Sequence, residues 1–113
     1  MGEFWLLDRD NKKLVVHQNK SGLVFVYNRE DGQIENVWNM IENFNWIESV
    51  NPKTGELIGR NPPNIAENKD LILCPWIAGG RSWHSGSYSP KTGLWYNSAA
   101  EACQTTTVRK EDP

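Results

Sequence analysis

An all-β fold of short antiparallel strands is what the 113 residues predict. Three observations carry that reading. Apolar, β-branched and aromatic residues come in brief runs without helical periodicity. A turn signature ending in glycine recurs between those runs. No window offers a convincing amphipathic helix; Met40-Ile41-Glu42-Asn43-Phe44 provides one helical turn at most.

Lys13-Leu14-Val15-Val16-His17 is the first strand, a brief β-branched run. Leu23-Val24-Phe25-Val26-Tyr27 is stronger, and its unbroken apolar character predicts a strand buried on both faces. Asn28-Arg29-Glu30-Asp31-Gly32 then reads as a hairpin turn, with Asp-Gly supplying the positive-φ residue. Residues 33–39 form the returning strand. Glu56-Leu57-Ile58-Gly59, Leu71-Ile72-Leu73 and Leu94-Trp95-Tyr96-Asn97 give further short strands. Between Arg60 and Asp70 the chain is polar and contains Pro62-Pro63, as a surface loop does.

The turn recurs. Asn28 to Gly32, Asn51-Pro52-Lys53-Thr54-Gly55 and Ser89-Pro90-Lys91-Thr92-Gly93 each place a polar capping side chain four residues before a glycine. The capping oxygen bonds its own turn backbone, Pro presets φ, and Gly takes the left-handed position. Repeated hairpins with tryptophans between them suit the small antiparallel sheets of a β-propeller. A sandwich or barrel carrying the same common turn remains open on these features alone.

Net charge is -2, and only Lys12-Lys13 and Arg109-Lys110 are adjacent basic pairs, so no nucleic-acid partner is expected. Hydrophobic residues make up 38% of the chain, a small supply for a self-sufficient core. No stretch approaches the ~20 apolar residues of a membrane-spanning helix. The start, Met1-Gly2-Glu3-Phe4-Trp5, lacks the pattern of a secretory signal, so either the protein is cytosolic or such a signal belongs to a longer parent chain. Two cysteines do not fix the redox compartment.

The run Cys74-Pro75-Trp76-Ile77-Ala78-Gly79-Gly80-Arg81-Ser82-Trp83 holds the densest chemistry. Its glycines permit close backbone approach, and Arg81, Ser82 and Trp83 form a polar and aromatic set suited to a flat, anionic ligand. Arg81 has a second use, holding the loop through backbone carbonyls or a carboxylate. Other readings carry little. His17 and His84 lack zinc-site spacing with the cysteines, Ser82 and His84 define no triad, and Gly79-Gly80 lacks the lysine of a phosphate loop. Asn19-Lys20-Ser21 is formally a glycosylation sequon.

Taken together, several segments resemble the pyrroloquinoline quinone (PQQ) dependent, or quinoprotein, alcohol dehydrogenases. Residues 19–32 are similar to that family's lysine-x-Gly, apolar strand and Asp-Arg-x-x-Gly segment. Asn45-Trp46 with Val50-Asn51-Pro52-Lys53-Thr54-Gly55 resembles the next. Cys74-Pro75, Gly79-Gly80-Arg81-Ser82-Trp83, Tyr88-Ser89-Pro90-Lys91-Thr92-Gly93-Leu94 and Cys103 follow in the family's order. The resemblance runs from about Leu14 to Cys103.

The resemblance implies that residues 1–113 are an incomplete, internal piece of an eight-bladed propeller, about two blades of four antiparallel strands each. It implies a parent enzyme that oxidises a primary alcohol to an aldehyde and passes electrons to a cytochrome c or quinone acceptor. PQQ is the implied cofactor, with Ca²⁺ or a lanthanide as Lewis acid. The remaining blades are implied partners and the periplasm the implied compartment. By position, Lys20, Ser82 and Trp83 match the family's cofactor-binding residues, and Cys74 and Cys103 match a disulfide pair. Outside that context Lys20 reads as a solvated turn lysine, Trp83 as core packing and the cysteines as buried thiols. Ser82 stands where the family often has Asn, which shortens the side chain's reach and removes a donor. A closed Cys74–Cys103 loop would stabilise by about 3–4 kcal/mol. The family's catalytic aspartate and metal ligands precede the Lys20 segment. Asp8 and Asp10 lie in a context that reads as a polar turn, and no catalytic residue is assigned there. A non-catalytic propeller scaffold is the alternative, and it gives no reason to keep Lys20 with residues 79–83.

Overall fold

A computed structural model describes residues 3–111, and all their regular structure is β. Met1 and Gly2 of the opening pentapeptide lie outside the described residues. Phe4–Arg9 (β1), Lys12–Gln18 (β2), Leu23–Asn28 (β3) and Ile34–Asn39 (β4) form one antiparallel sheet in the order β1-β2-β3-β4. This meander is one complete blade. Ser49–Val50 (β5) pairs with Leu57–Ile58 (β6), and Ser87–Ser89 (β8) pairs with Leu94–Tyr96 (β9). Asp70–Leu73 (β7) pairs across a long excursion with Gln104–Thr107 (β10). One four-stranded sheet and three two-stranded ladders are present among the described residues, consistent with a propeller fragment, but the second four-stranded blade of the expected two is not formed.

The segment ahead of β2 differs from its reading as a polar turn. Asp8 sits inside β1, opposite Lys13, and only Asp10-Asn11 form the turn. Both take positive φ, 52° and 60°, in a two-residue hairpin between Arg9 and Lys12. Asp and Asn tolerate that conformation better than most side chains.

The recurrent turn folds the same way three times. The Gly32, Gly55 and Gly93 amides each donate to the carbonyl four residues earlier, on Asn28, Asn51 and Ser89, at 2.8 Å. The three glycines have φ between 68° and 74°. Asn28 Oδ1 accepts from the Glu30 amide and Asn51 Oδ1 from the Lys53 amide, each at 2.9 Å. A left-handed glycine therefore closes each hairpin, and side-chain capping adds to it at Asn28 and Asn51.

Strand alternation divides the blade into two buried faces. Leu7, Val16, Val24 and Val26 form one apolar cluster, and Tyr88 and Trp95 from the β8–β9 hairpin pack on it. Leu23 and Val37 point the other way and join Ile47, with Phe44, Trp46, Val50 and Leu57 packed around them. Leu23 and Val24 are chain neighbours exposed by only 0% and 1%, so β3 is buried on both sides as its unbroken apolar run predicts. The β1 end is less covered, and Phe4 and Leu6 stay largely exposed.

The described chain measures 57 × 27 × 27 Å with a radius of gyration of 16.8 Å. A compact domain of this length has about 13 Å. The small two-stranded units are thus strung beside the blade, with no single central core. Leu23→Ala is expected to lower unfolding free energy by about 2–5 kcal/mol, measured by urea denaturation. Ile72→Ala, at an exposed position, is expected to change it by less than about 1 kcal/mol.

Candidate functional site

The loop from β2 to β3 carries Lys20 and is fixed from within and without. Asn19 Oδ1 accepts the Ser21 amide at 2.9 Å, and Ser21 Oγ accepts the Leu23 amide at 3.2 Å. Gly22 closes the loop at φ 88°, where a Cβ would meet Ile41 Cδ1 at 2.6 Å. The Trp46 indole donates to the Ser21 carbonyl at 3.1 Å, and the Met40 amide donates to the Gly22 carbonyl at 2.8 Å. Lys20 itself is exposed, and among the described residues it enters no ion pair.

Gly79 and Gly80 make their close approach to this loop. The Gly80 amide donates to the Lys20 carbonyl at 3.1 Å. A Cβ on Gly79 would lie 2.3 Å from Lys20 Cα, and one on Gly80 would lie 2.9 Å from Gly22 Cα. Backbone cannot yield as a flexible side chain can, so the contact demands glycine at both places. The segment before Ser82 and Trp83 is thereby set directly against Lys20, although the two lie far apart in sequence.

Arg81 is 2% exposed and serves the loop itself. Its Nη2 pairs with Glu3 Oε2 at 2.7 Å and also donates to the His84 carbonyl. Its guanidinium carbon stands 5.1 Å from the Trp5 ring centre, a cation–π arrangement. This is the carboxylate and carbonyl use weighed for Arg81 from sequence. At Glu3, burial opposes the charge, but the Gly86 amide and Arg81 outweigh it and hold the carboxyl below the usual range.

Ser82 is half-buried and lines a cavity of about 180 Å³ with Trp76, Gly79, Gly80, Arg81 and Ala100. Trp83 is 80% exposed, which rules out core packing here, and it stacks on His84 at 4.6 Å and 15°. Lys20 and Trp83 stand outside the cavity lining. Enclosed ligand sites usually start near 300 Å³. Lys20, Ser82 and Trp83 thus stand on two loops joined backbone to backbone, as an exposed ammonium, a half-buried hydroxyl and an exposed indole. That donor set fits a flat anionic group. Among the described residues no three His, Cys, Asp or Glu side chains gather as metal ligands.

Cys74 and Cys103 are joined by a disulfide, as the resemblance implies. Asn45 braces it: its Oδ1 accepts the Cys74 amide and its own amide donates to the Cys74 carbonyl, both at 3.0 Å. Glu101 binds the Glu42 and Asn43 amides, and the bond from Glu42 chiefly lowers its pKa. The anchoring roles of Asn45, Trp46 and Glu101 escape a sequence reading. Asn45-Trp46 is visible as a motif, but nothing local shows that it reaches both Cys74 and Ser21.

Two outcomes are expected. Gly79→Ala should destabilise the chain by more than about 1 kcal/mol, read by thermal melting. Gly93→Ala, with φ 68° but nothing within 4 Å, isolates the backbone term and should cost less. The Glu3–Arg81 pair should follow acid pH. Because the folded Glu3 pKa lies below the ordinary carboxyl value of 4.5, its stabilisation is full above that pH and is lost as pH falls through the folded pKa. The melting-temperature difference between the chain and Glu3→Gln should therefore shrink on acidification across that window.

No family model matches the chain. It is 30% identical over 98 residues to the quinoprotein ethanol dehydrogenase of Pseudomonas putida, covering 79% of the chain and 16% of that protein. It is 28% identical over 101 residues to methanol dehydrogenase [cytochrome c] subunit 1 of Methylorubrum extorquens, covering 85% and 16%. Among solved structures, quinohemoprotein alcohol dehydrogenase from Comamonas testosteroni superposes with a TM-score of 0.62 at 28% identity, covering 84% of the chain and 14% of that structure. A europium-containing methanol dehydrogenase shares the fold, with a TM-score of 0.65 at 20% identity over 84% of the chain and 17% of that structure. The chain thus spans about one-sixth of the length of these curated relatives. In sequence and in fold it corresponds to a segment of the quinoprotein alcohol dehydrogenase propeller.

Proposed function

We propose that residues 1–113 form part of the propeller of a PQQ-dependent alcohol dehydrogenase and supply one wall of its cofactor site. The observation that carries this reading is the seating of Gly79-Gly80 on the Lys20 loop, which unites the sequence-predicted site segments. In this reading the parent oxidises a primary alcohol to an aldehyde. The names of relatives linked to cytochrome c and to quinone support an electron acceptor of one of those kinds. Bound PQQ would supply the two-electron quinone chemistry, with Ca²⁺ or a lanthanide as Lewis acid held by residues beyond this segment.

The chain's own part is positioning and electrostatics. Lys20 stands on a loop whose backbone is braced by Trp46, Met40 and Gly80, so its ammonium would offer a positive charge to a developing oxyanion from a fixed point of attachment. Ser82 offers one hydroxyl, and Trp83 offers a flat face for stacking. Arg81 holds the loop's shape through Glu3 and His84, so it is a positioning residue. A periplasmic site for the parent is carried by the family resemblance alone, and a Cys74–Cys103 disulfide is compatible with it. The segment by itself is expected to be inactive, since it provides one wall. No observation favours the scaffold alternative.

The test is the parent chain containing this segment, assayed with PQQ, metal ion, a primary alcohol and a dye acceptor. Lys20→Ala is expected to cut alcohol-dependent dye reduction by about 10²-fold or more. A folded parent that neither binds PQQ nor reduces dye would overturn the reading.

A further inference from the structure

Trp83 is 80% exposed, so no core contact fixes its side chain. A free indole on a surface samples several rotamers, and a flat ligand that stacks on it must first order it. Here the indole has a partner. The His84 imidazole lies against it, with ring centres 4.6 Å apart and planes 15° apart. No other aromatic ring stacks on Trp83 among the described residues. A stack on one face leaves the opposite face open.

Neighbouring side chains of an extended strand point to opposite faces, so this stack requires the bend at Ser82 and Trp83. The bend is tied down from inside. Arg81 Nη2 donates to the His84 carbonyl, and the same nitrogen pairs with Glu3 Oε2 at 2.7 Å. The Gly86 amide donates to that carboxylate oxygen as well, at 3.3 Å. Arg81 is buried and stands over the Trp5 ring. The backbone on both sides of His84 is therefore anchored to one buried cation and its counter-charge. His84 also lines the cavity beside Ser82, which Trp83 does not, so it links the two.

We propose that His84 is a positioning residue for Trp83. Its imidazole covers one indole face and holds the ring in one orientation, with the opposite face available to a flat, conjugated cofactor. The proposal rests on the reading of Lys20 and residues 79–83 as part of a PQQ site. Its physical basis is preorganisation: an indole already ordered by its neighbour loses less freedom when a ligand stacks on it.

The test uses the parent chain containing this segment, freed of PQQ and labelled with fluorotryptophan. Trp83→Phe assigns the Trp83 fluorine resonance. The His84 side chain is exposed and the Arg81 contact is to its carbonyl, so His84→Ala leaves that contact intact. His84→Ala is expected to shift and narrow the Trp83 resonance, as for an indole released from its partner. It is also expected to weaken PQQ binding about 2–10-fold, the cost of ordering one side chain on binding. His84→Phe keeps a stacking ring and is expected to restore both readouts. An unmoved Trp83 resonance in His84→Ala overturns the proposal. Unchanged PQQ affinity in that variant overturns it too, and binding by the unaltered parent then leaves the cofactor-wall reading standing. A folded parent that binds no PQQ overturns that reading and this role with it.

Discussion

The contact on which the rest depends is backbone against backbone: Gly79-Gly80 laid on the Lys20–Gly22 loop. It ties a disulfide-bearing excursion to the only four-stranded sheet among the described residues. Most of the nearby hydrogen bonds serve it. Trp46 and Met40 fix the Lys20 side, while the Ala100 amide donates to the Gly80 carbonyl and Asn45 holds Cys74. A Cβ at either glycine would strike main-chain atoms. Exposed groups such as Lys20 and Trp83 therefore inherit their placement from a rigid joint.

The same economy governs stability. The blade is sandwiched between two small hairpins, one on each face, so its core is split into two clusters. Neither is large, and the elongated shape leaves β1 with exposed Phe4 and Leu6. Polar interactions carry correspondingly more of the organisation. Arg81 is buried with Glu3 as its counter-charge, an arrangement whose loss would leave a guanidinium without compensation. Its Nε and Nη1 have no partner, so this pairing specifies geometry more than it adds stability.

Much of the fold is legible in the chain because its signals are local. The three turns are encoded by a capping side chain and a glycine four residues later, and each folds with the same 2.8 Å hydrogen bond. β2, β3 and β4 announce themselves through β-branched and apolar runs. β1 does not, because its apolar Phe-Trp-Leu-Leu stretch leads straight into a polar turn that masks the strand. β8 and β10, Ser-Tyr-Ser and Gln-Thr-Thr-Thr, are polar and short, and partners chosen elsewhere in the chain make them strands. The importance of Lys20 and of residues 79–83 is legible from motif order, and so is the kind of use Arg81 has, but its carboxylate partner is not, since Glu3 lies at the far end of the chain.

By itself the sequence determined the β class, the hairpin turns, the two-sided burial of β3 and the pairing of Cys74 with Cys103 through family resemblance. These follow from backbone preferences and side-chain periodicity, which act over a few residues, and from motif order. Only the tertiary structure decided what Gly79-Gly80 approach, that Trp83 faces solvent, and that Gln18, Trp95 and Asn97 bury four polar atoms without a protein partner. Those outcomes depend on which distant segments pack together, and close contact and burial are properties of the assembled chain.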